Sequence, residues 1–190
     1  MKGQLLCFLL LAVAACSKDD PAAGLPAATH TGANTAGCRI NGQVFVASGY
    51  GSGLSKVEGM GGGFAYDSAY YLRLNGKFGD REGSLHLFLN SVPRKTSLPL
   101  RKVYPLNQNT PVMPAAGPNQ CKNYAVFFPN DNRQELYCTD NVHTGKVEVT
   151  HADLTPNQLV AAGTFEFTAV SNLDPAKTLT VTEGRFDRKQ

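Results

Sequence analysis

Apolar and polar residues alternate with a period of two through most of the second two-thirds of the chain. Tyr70, Leu72 and Leu74 fall on one face of an extended segment, with Tyr71 and Arg73 on the other. Leu85, Leu87 and Leu89 likewise oppose Ser84, His86 and Phe88. The same pattern sets Val147 and Val149 against Lys146, Glu148 and Thr150, and Phe165, Phe167 and Ala169 against Thr164, Glu166 and Thr168. Leu179 and Val181 alternate with Thr178, Thr180 and Thr182, and Gly184 then breaks phase before Phe186, which predicts a bulge returning Phe186 to the core. Turn chemistry separates the segments. Asn41-Gly42 suits a tight hairpin, because both residues tolerate positive φ, and Pro129-Asn130-Asp131-Asn132 predicts a second reversal between Tyr124–Phe128 and Glu135–Thr139. Residues 47–63 are glycine-rich and read as a mobile loop. Residues 93–118, with six prolines, read as a long connection holding a short strand near Val103-Tyr104. No segment sustains a helical period. The expected fold is all-β: an antiparallel β-sandwich or partly closed barrel of about 8–10 strands.

The first twenty residues follow a different logic. Lys2 precedes an apolar run from Leu5 to Ala15, about half the roughly 20 residues that a membrane-spanning helix needs, so the segment reads as a secretory signal. Val13-Ala14-Ala15-Cys16 resembles the bacterial lipobox. That resemblance implies cleavage between Ala15 and Cys16, with lipid on the Cys16 sulfur and on its new amine. Two or three acyl chains on one residue anchor stably, where one would be marginal. Lys18-Asp19-Asp20 resembles the export signal of Bacteroidetes surface lipoproteins. The expected location is the outer membrane with the domain at the cell surface, the periplasmic face being the alternative. Residues 17–36 are dominated by Ala, Gly, Pro, Ser and Thr and lack the bulk to repay the entropy of ordering. The expected organisation is a signal peptide over 1–15, a lipid-anchored flexible spacer over 16–36 and a single all-β domain over 37–190.

The C-terminal third carries a further likeness. Gly145-Lys146-Val147-Glu148-Val149-Thr150, then Ala162-Gly163-Thr164-Phe165-Glu166-Phe167, then Val181-Thr182-Glu183-Gly184-Arg185-Phe186-Asp187 resembles a Bacteroidetes all-β lipoprotein domain family of unknown function. Its members share the Gly-Thr-Phe-x-Phe strand and the Gly-x-Phe-Asp finish. The resemblance covers about 45 C-terminal residues well. It implies an all-β lipoprotein and brings no catalytic residues with it.

Charge and side-chain chemistry narrow the function classes. Without Lys2 the mature chain has 17 basic against 15 acidic residues, a balance with no long-range field for nucleic acid. Cys38, Cys121 and Cys138 remain after the signal and anchor are set aside, and three thiols outside the cytoplasm permit three pairings. The 124–139 hairpin brings Cys121 and Cys138 nearly opposite, making a Cys121–Cys138 disulfide the expected pair, with Cys38 as the competitor. His30, His86, His143 and His151 lack the close spacing of a zinc site and read as solvated surface groups, so no metal or other cofactor is expected. Asn130-Asp131-Asn132 with Glu135 offers oxygen ligands without an EF-hand spacing. There is no Gly-x-Ser-x-Gly elbow, and the carboxylate pairs Asp80/Glu82 and Glu148/Glu166 sit where outward charge is expected anyway. The reading is therefore non-enzymatic: a binding role toward glycan or another envelope component, with a structural envelope role next and a hydrolase behind both. Tyr50, Tyr71 and Phe88 are the candidate sugar-facing aromatics in a chain with no Trp. Replacing Cys16 with Ala removes the only membrane attachment the sequence offers. The variant should leave the detergent phase in a phase-partition assay, and unchanged partitioning would refute the anchor.

Overall fold

The structure is a computed structural model that describes residues 23–65, 69–90, 92, 102–108, 123–132, 134–155 and 158–190. The cleavage site, Cys16, the Lys18-Asp19-Asp20 cluster and Cys121 lie outside these residues, as do most of positions 93–118.

Eleven strands and one short 3-10 turn make up the described chain, and every strand pairing is antiparallel. The strands are β1 (Thr35–Ile40), β2 (Gln43–Val46), β3 (Met60–Ala65), β4 (Ala69–Phe78), β5 (Arg81–Asn90) and β6 (Lys102–Leu106). They continue as β7 (Tyr124–Pro129), β8 (Tyr137–Cys138), β9 (Gly145–Thr155), β10 (Gln158–Ser171) and β11 (Thr178–Lys189). Pairing runs β11-β1-β2-β4-β5-β7-β8-β10, and β10 pairs back to β11, so the path returns on itself. Beyond that ring, β9 and β6 continue outward from β10, and β3 lies on β4. The molecule is thus an all-β, partly closed barrel. Among the described residues no helix is long and apolar enough to cross a membrane.

Alternation decides which face is inside. Tyr70, Leu72 and Leu74 of β4, Leu85, Leu87 and Leu89 of β5, and Ala125 and Phe127 of β7 all enter the main core. Phe165, Phe167 and Ala169 of β10 and Leu179, Val181 and Phe186 of β11 join them, as the period predicts. The Asn41-Gly42 turn forms with φ of 49° and 80°, closing β1 on β2 with Ile40 opposite Gln43. The bulge also forms where phase breaks. On β11 the register steps from Gly184 to Val181 while β10 advances only from Phe165 to Phe167. Glu183 takes a φ of 54°, and a Cβ on Gly184 would lie 2.4 Å from the Phe165 ring, so glycine is required there.

Three expectations change. Residues 60–65 form strand β3 against Ala69–Leu74, because a glycine strand still has a full set of backbone donors and acceptors. The 124–139 hairpin has a different register: Cys138 stands opposite Val126, five positions along from Cys121. Cys38 and Cys138 are free, buried thiols, and burial pushes both up in pKa, Cys138 to about 11 with Asp140 adding to the rise. The third change is at the domain edge. The fold begins well before position 37, since Asp187, only 1% exposed, gathers the segment that composition marks as spacer.

Thr29 Oγ1 donates to Asp187 Oδ2 at 2.6 Å, and the backbone N–H groups of Thr31 and Ala33 donate to the same oxygen at 3.0 and 3.1 Å. The Gly32 N–H takes Oδ1 at 2.8 Å. Asn34 Oδ1 then accepts from Arg188 Nη1 and the Lys189 N–H at 2.8 and 3.0 Å. Burial pushes the Asp187 carboxyl up, but the four donors outweigh it and hold the group below its ordinary range. Its contribution is therefore complete at neutral pH and is lost as pH falls through the native value. Asp187→Ala should cost about 1–3 kcal/mol in denaturant unfolding at pH 7, with a smaller difference in acid. It should also open residues 29–34 to rapid amide exchange. Unchanged protection there would show that the carboxylate does not hold the segment.

Candidate functional site

The outer face of β4, β5 and β7 differs from an ordinary solvated strand face. Pairing aligns its residues in three rows: Tyr71–Phe88–Tyr124, Arg73–His86–Val126 and Asn75–Ser84–Phe128. The first row is aromatic throughout. Tyr71 stacks on Phe88 with centroids 4.6 Å apart, and Phe88 on Tyr124 at 4.5 Å. With Val126 and Cys138 they form a second apolar cluster, separate from the barrel core. The alternation assigned Tyr71 and Phe88 to the correct face, yet that face is half-buried.

An open cleft of about 360 Å³ lies over the second and third rows, lined by Tyr50, Val57, Arg73, Asn75, Ser84, His86 and Phe128. Tyr50 and Val57 reach it from the glycine-rich loop, which folds back on itself through a bridge between these two residues. Loop and sheet are stitched by polar contacts. Asn75, 2% exposed, donates through Nδ2 to the Glu58 carbonyl at 2.7 Å. Its Oδ1 accepts from Ser84 Oγ at 2.7 Å, and Tyr50 Oη lies 3.5 Å from that same Oγ. This network fixes one wall of the cleft before any ligand arrives.

His86 corrects the expectation of a solvated histidine. It is 8% exposed, with its ring 4.8 Å from Phe128 and its Nδ1 3.3 Å from Tyr71 Oη. Burial first, and the neighbouring Arg73 charge second, push its pKa down to about 4, so the ring is neutral at physiological pH. Arg73 is exposed and stands across from Gly61 of β3, whose missing Cβ would sit 3.2 Å from Arg73 Nη2. The guanidinium therefore lies directly over the glycine strand.

The remaining candidates fall elsewhere. Tyr50 lines the cleft, while Tyr71 and Phe88 form the adjoining aromatic row. His30 and His151 come together, rings 5.1 Å apart, a pairing invisible in their sequence spacing. His143 binds Asp140 at 3.1 Å. Among the described residues no three His, Cys, Asp or Glu side chains converge as a metal site. Asp131 turns to Arg81 at 3.0 Å and Glu135 to Ser171 at 2.9 Å, so the turn carboxylates face apart. Glu166 pairs with Lys146 and Glu82 with Lys77. Cys138 joins the outer cluster, with Cys121 outside the described residues. Arg73, Asn75, Ser84 and His86 were missed as a group. Their signal was a strand face bearing cation, amide, hydroxyl and imidazole at strict two-residue spacing, without the aliphatic residues of a core.

Fold and cleft together define an all-β barrel with a polar and aromatic depression on its outer sheet face. No protein-family model, curated protein or solved structure matches the chain. The environment of His86 is directly measurable. Its ring resonances should titrate near pH 4, and Arg73→Gln should move that midpoint upward by removing the nearby positive charge; a midpoint near 6.5 would contradict the buried placement.

Proposed function

We propose that this chain is a lipid-anchored envelope protein of the all-β lipoprotein kind it resembles, with a non-catalytic binding role toward glycan. Anchoring through Cys16 and display through Lys18-Asp19-Asp20 rest on the N-terminal motifs. The observation that carries the binding role is the cleft on the outer face of β4 and β5, where aromatic side chains meet fixed hydrogen-bonding groups. Sugar rings present apolar faces and a rim of hydroxyls, and Tyr50 and Phe128 with Ser84, Asn75 and His86 offer both kinds of contact. The Ser84 hydroxyl donates to Asn75 at 2.7 Å, which suits a positioning group better than a nucleophile awaiting a base.

A panel of neutral and charged oligosaccharides titrated into the labelled protein should shift the amides of Val57, Ser84 and Phe128. Tyr50→Ala should weaken the best binder about tenfold, the loss of an interaction worth roughly 1.4 kcal/mol. If no saccharide perturbs these residues, the binding role at this cleft is wrong.

A further inference from the structure

Charge matching around the cleft leaves one group over. Glu58 is paired with Lys56 at 3.0 Å, Glu82 with Lys77 at 3.3 Å and Asp131 with Arg81 at 3.0 Å. Arg73 has no ion pair or hydrogen bond among the described residues, and it is the only charged side chain lining the cleft. A flexible surface arginine would explain nothing. Here the side chain is placed: it crosses Gly61 on the β3 side and faces His86 in its own cross-strand pair on the β5 side. Its positive field already reaches that imidazole.

We propose that the cleft takes a sugar bearing a single carboxylate, with the carboxylate forked on the Arg73 guanidinium and the ring against the walls formed by Tyr50 and Phe128. This rests on the glycan reading above and names its ligand class. The planar guanidinium offers two parallel N–H donors that match a carboxylate in geometry and charge. A phosphate-rich or sulfate-rich polymer carries more charge than one guanidinium neutralises, and among the described residues no second cation lines the cleft. Neighbouring neutral groups complete the site. The His86 ring has Nδ1 engaged by Tyr71, leaving Nε2 for a sugar hydroxyl, and Tyr50 Oη and Ser84 Oγ stand 3.5 Å apart on the opposite wall. The absence of a side chain at Gly61 is what lets the fork lie flat, so Gly61→Ala would displace it.

The test compares methyl galactopyranosiduronate, which bears one carboxylate, with its methyl ester by titration calorimetry, using the full chain in detergent. Wild-type protein should bind the acid at least tenfold more tightly than the ester. Arg73→Gln should lose that preference with its melting temperature unchanged, and Arg73→Lys should recover part of it, because an ammonium restores charge without the fork. Equal binding of acid and ester by the wild type would overturn the acidic ligand while leaving the cleft as a glycan site. Acid binding that survives Arg73→Gln would do the same. Failure of acid, ester and neutral saccharides alike to perturb the cleft would overturn this proposal and the binding role together.

Discussion

Backbone pairing along β10 is the constraint on which the rest of the molecule depends. One edge of this strand pairs with β11 from Val160 to Val170, while its other edge is shared between β9 and then β8. The last two pairs, Val170 with Cys138 and Ser171 with Tyr137, join the two ends of the sheet. Without them the sheet would present open edges at β8 and β10, where unpaired donors and acceptors invite other chains. β4 repeats the arrangement, sharing one edge between β3 and β2. Splitting an edge in this way lets two strands leave the ring without opening it.

How much of this was legible depended on whether the deciding force was local. Period-two patterning reports burial on one face, so the inward positions of β4, β5, β9, β10 and β11 could be read directly. The Asn41-Gly42 turn and the Gly184 bulge were legible for the same reason: each follows from the φ its residues can adopt. Met60–Ala65 was not legible, because a glycine strand carries no side-chain pattern and exists through its partner, Ala69–Leu74. The register between β7 and β8 was equally hidden. It is set by a loop from Asn130 to Leu136, held by Arg81 at one end and Asn172 at the other, both distant in sequence.

The cleft lies between these extremes. Alternation places Arg73, Ser84 and His86 on outward faces, which invites the assumption that outward means solvated. The assumption fails because the loop from Ala47 to Gly59 folds over the sheet, bringing Tyr50 and Val57 onto it through Asn75. A buried amide bonded to the Glu58 carbonyl is thus what turns a polar strand face into a depression. His86 is neutral for the same reason: its companions on that face are rings rather than water.

The carboxylate of Asp187 has a geometric consequence for the whole protein. Because it fastens residues 29–33, and Arg39 holds the Ala23 carbonyl at 3.1 Å, residues from Ala23 onward belong to the body of the protein, ahead of the expected boundary at 37. With the proposed anchor at Cys16, the connecting leash shrinks from about 75 Å of extended chain to about 25 Å at most. On that proposed anchoring, a body on so short a leash would ride against the headgroups instead of ranging above them. Its approach to any large polymer is then governed less by its own diffusion than by which side of the barrel the bilayer leaves uncovered.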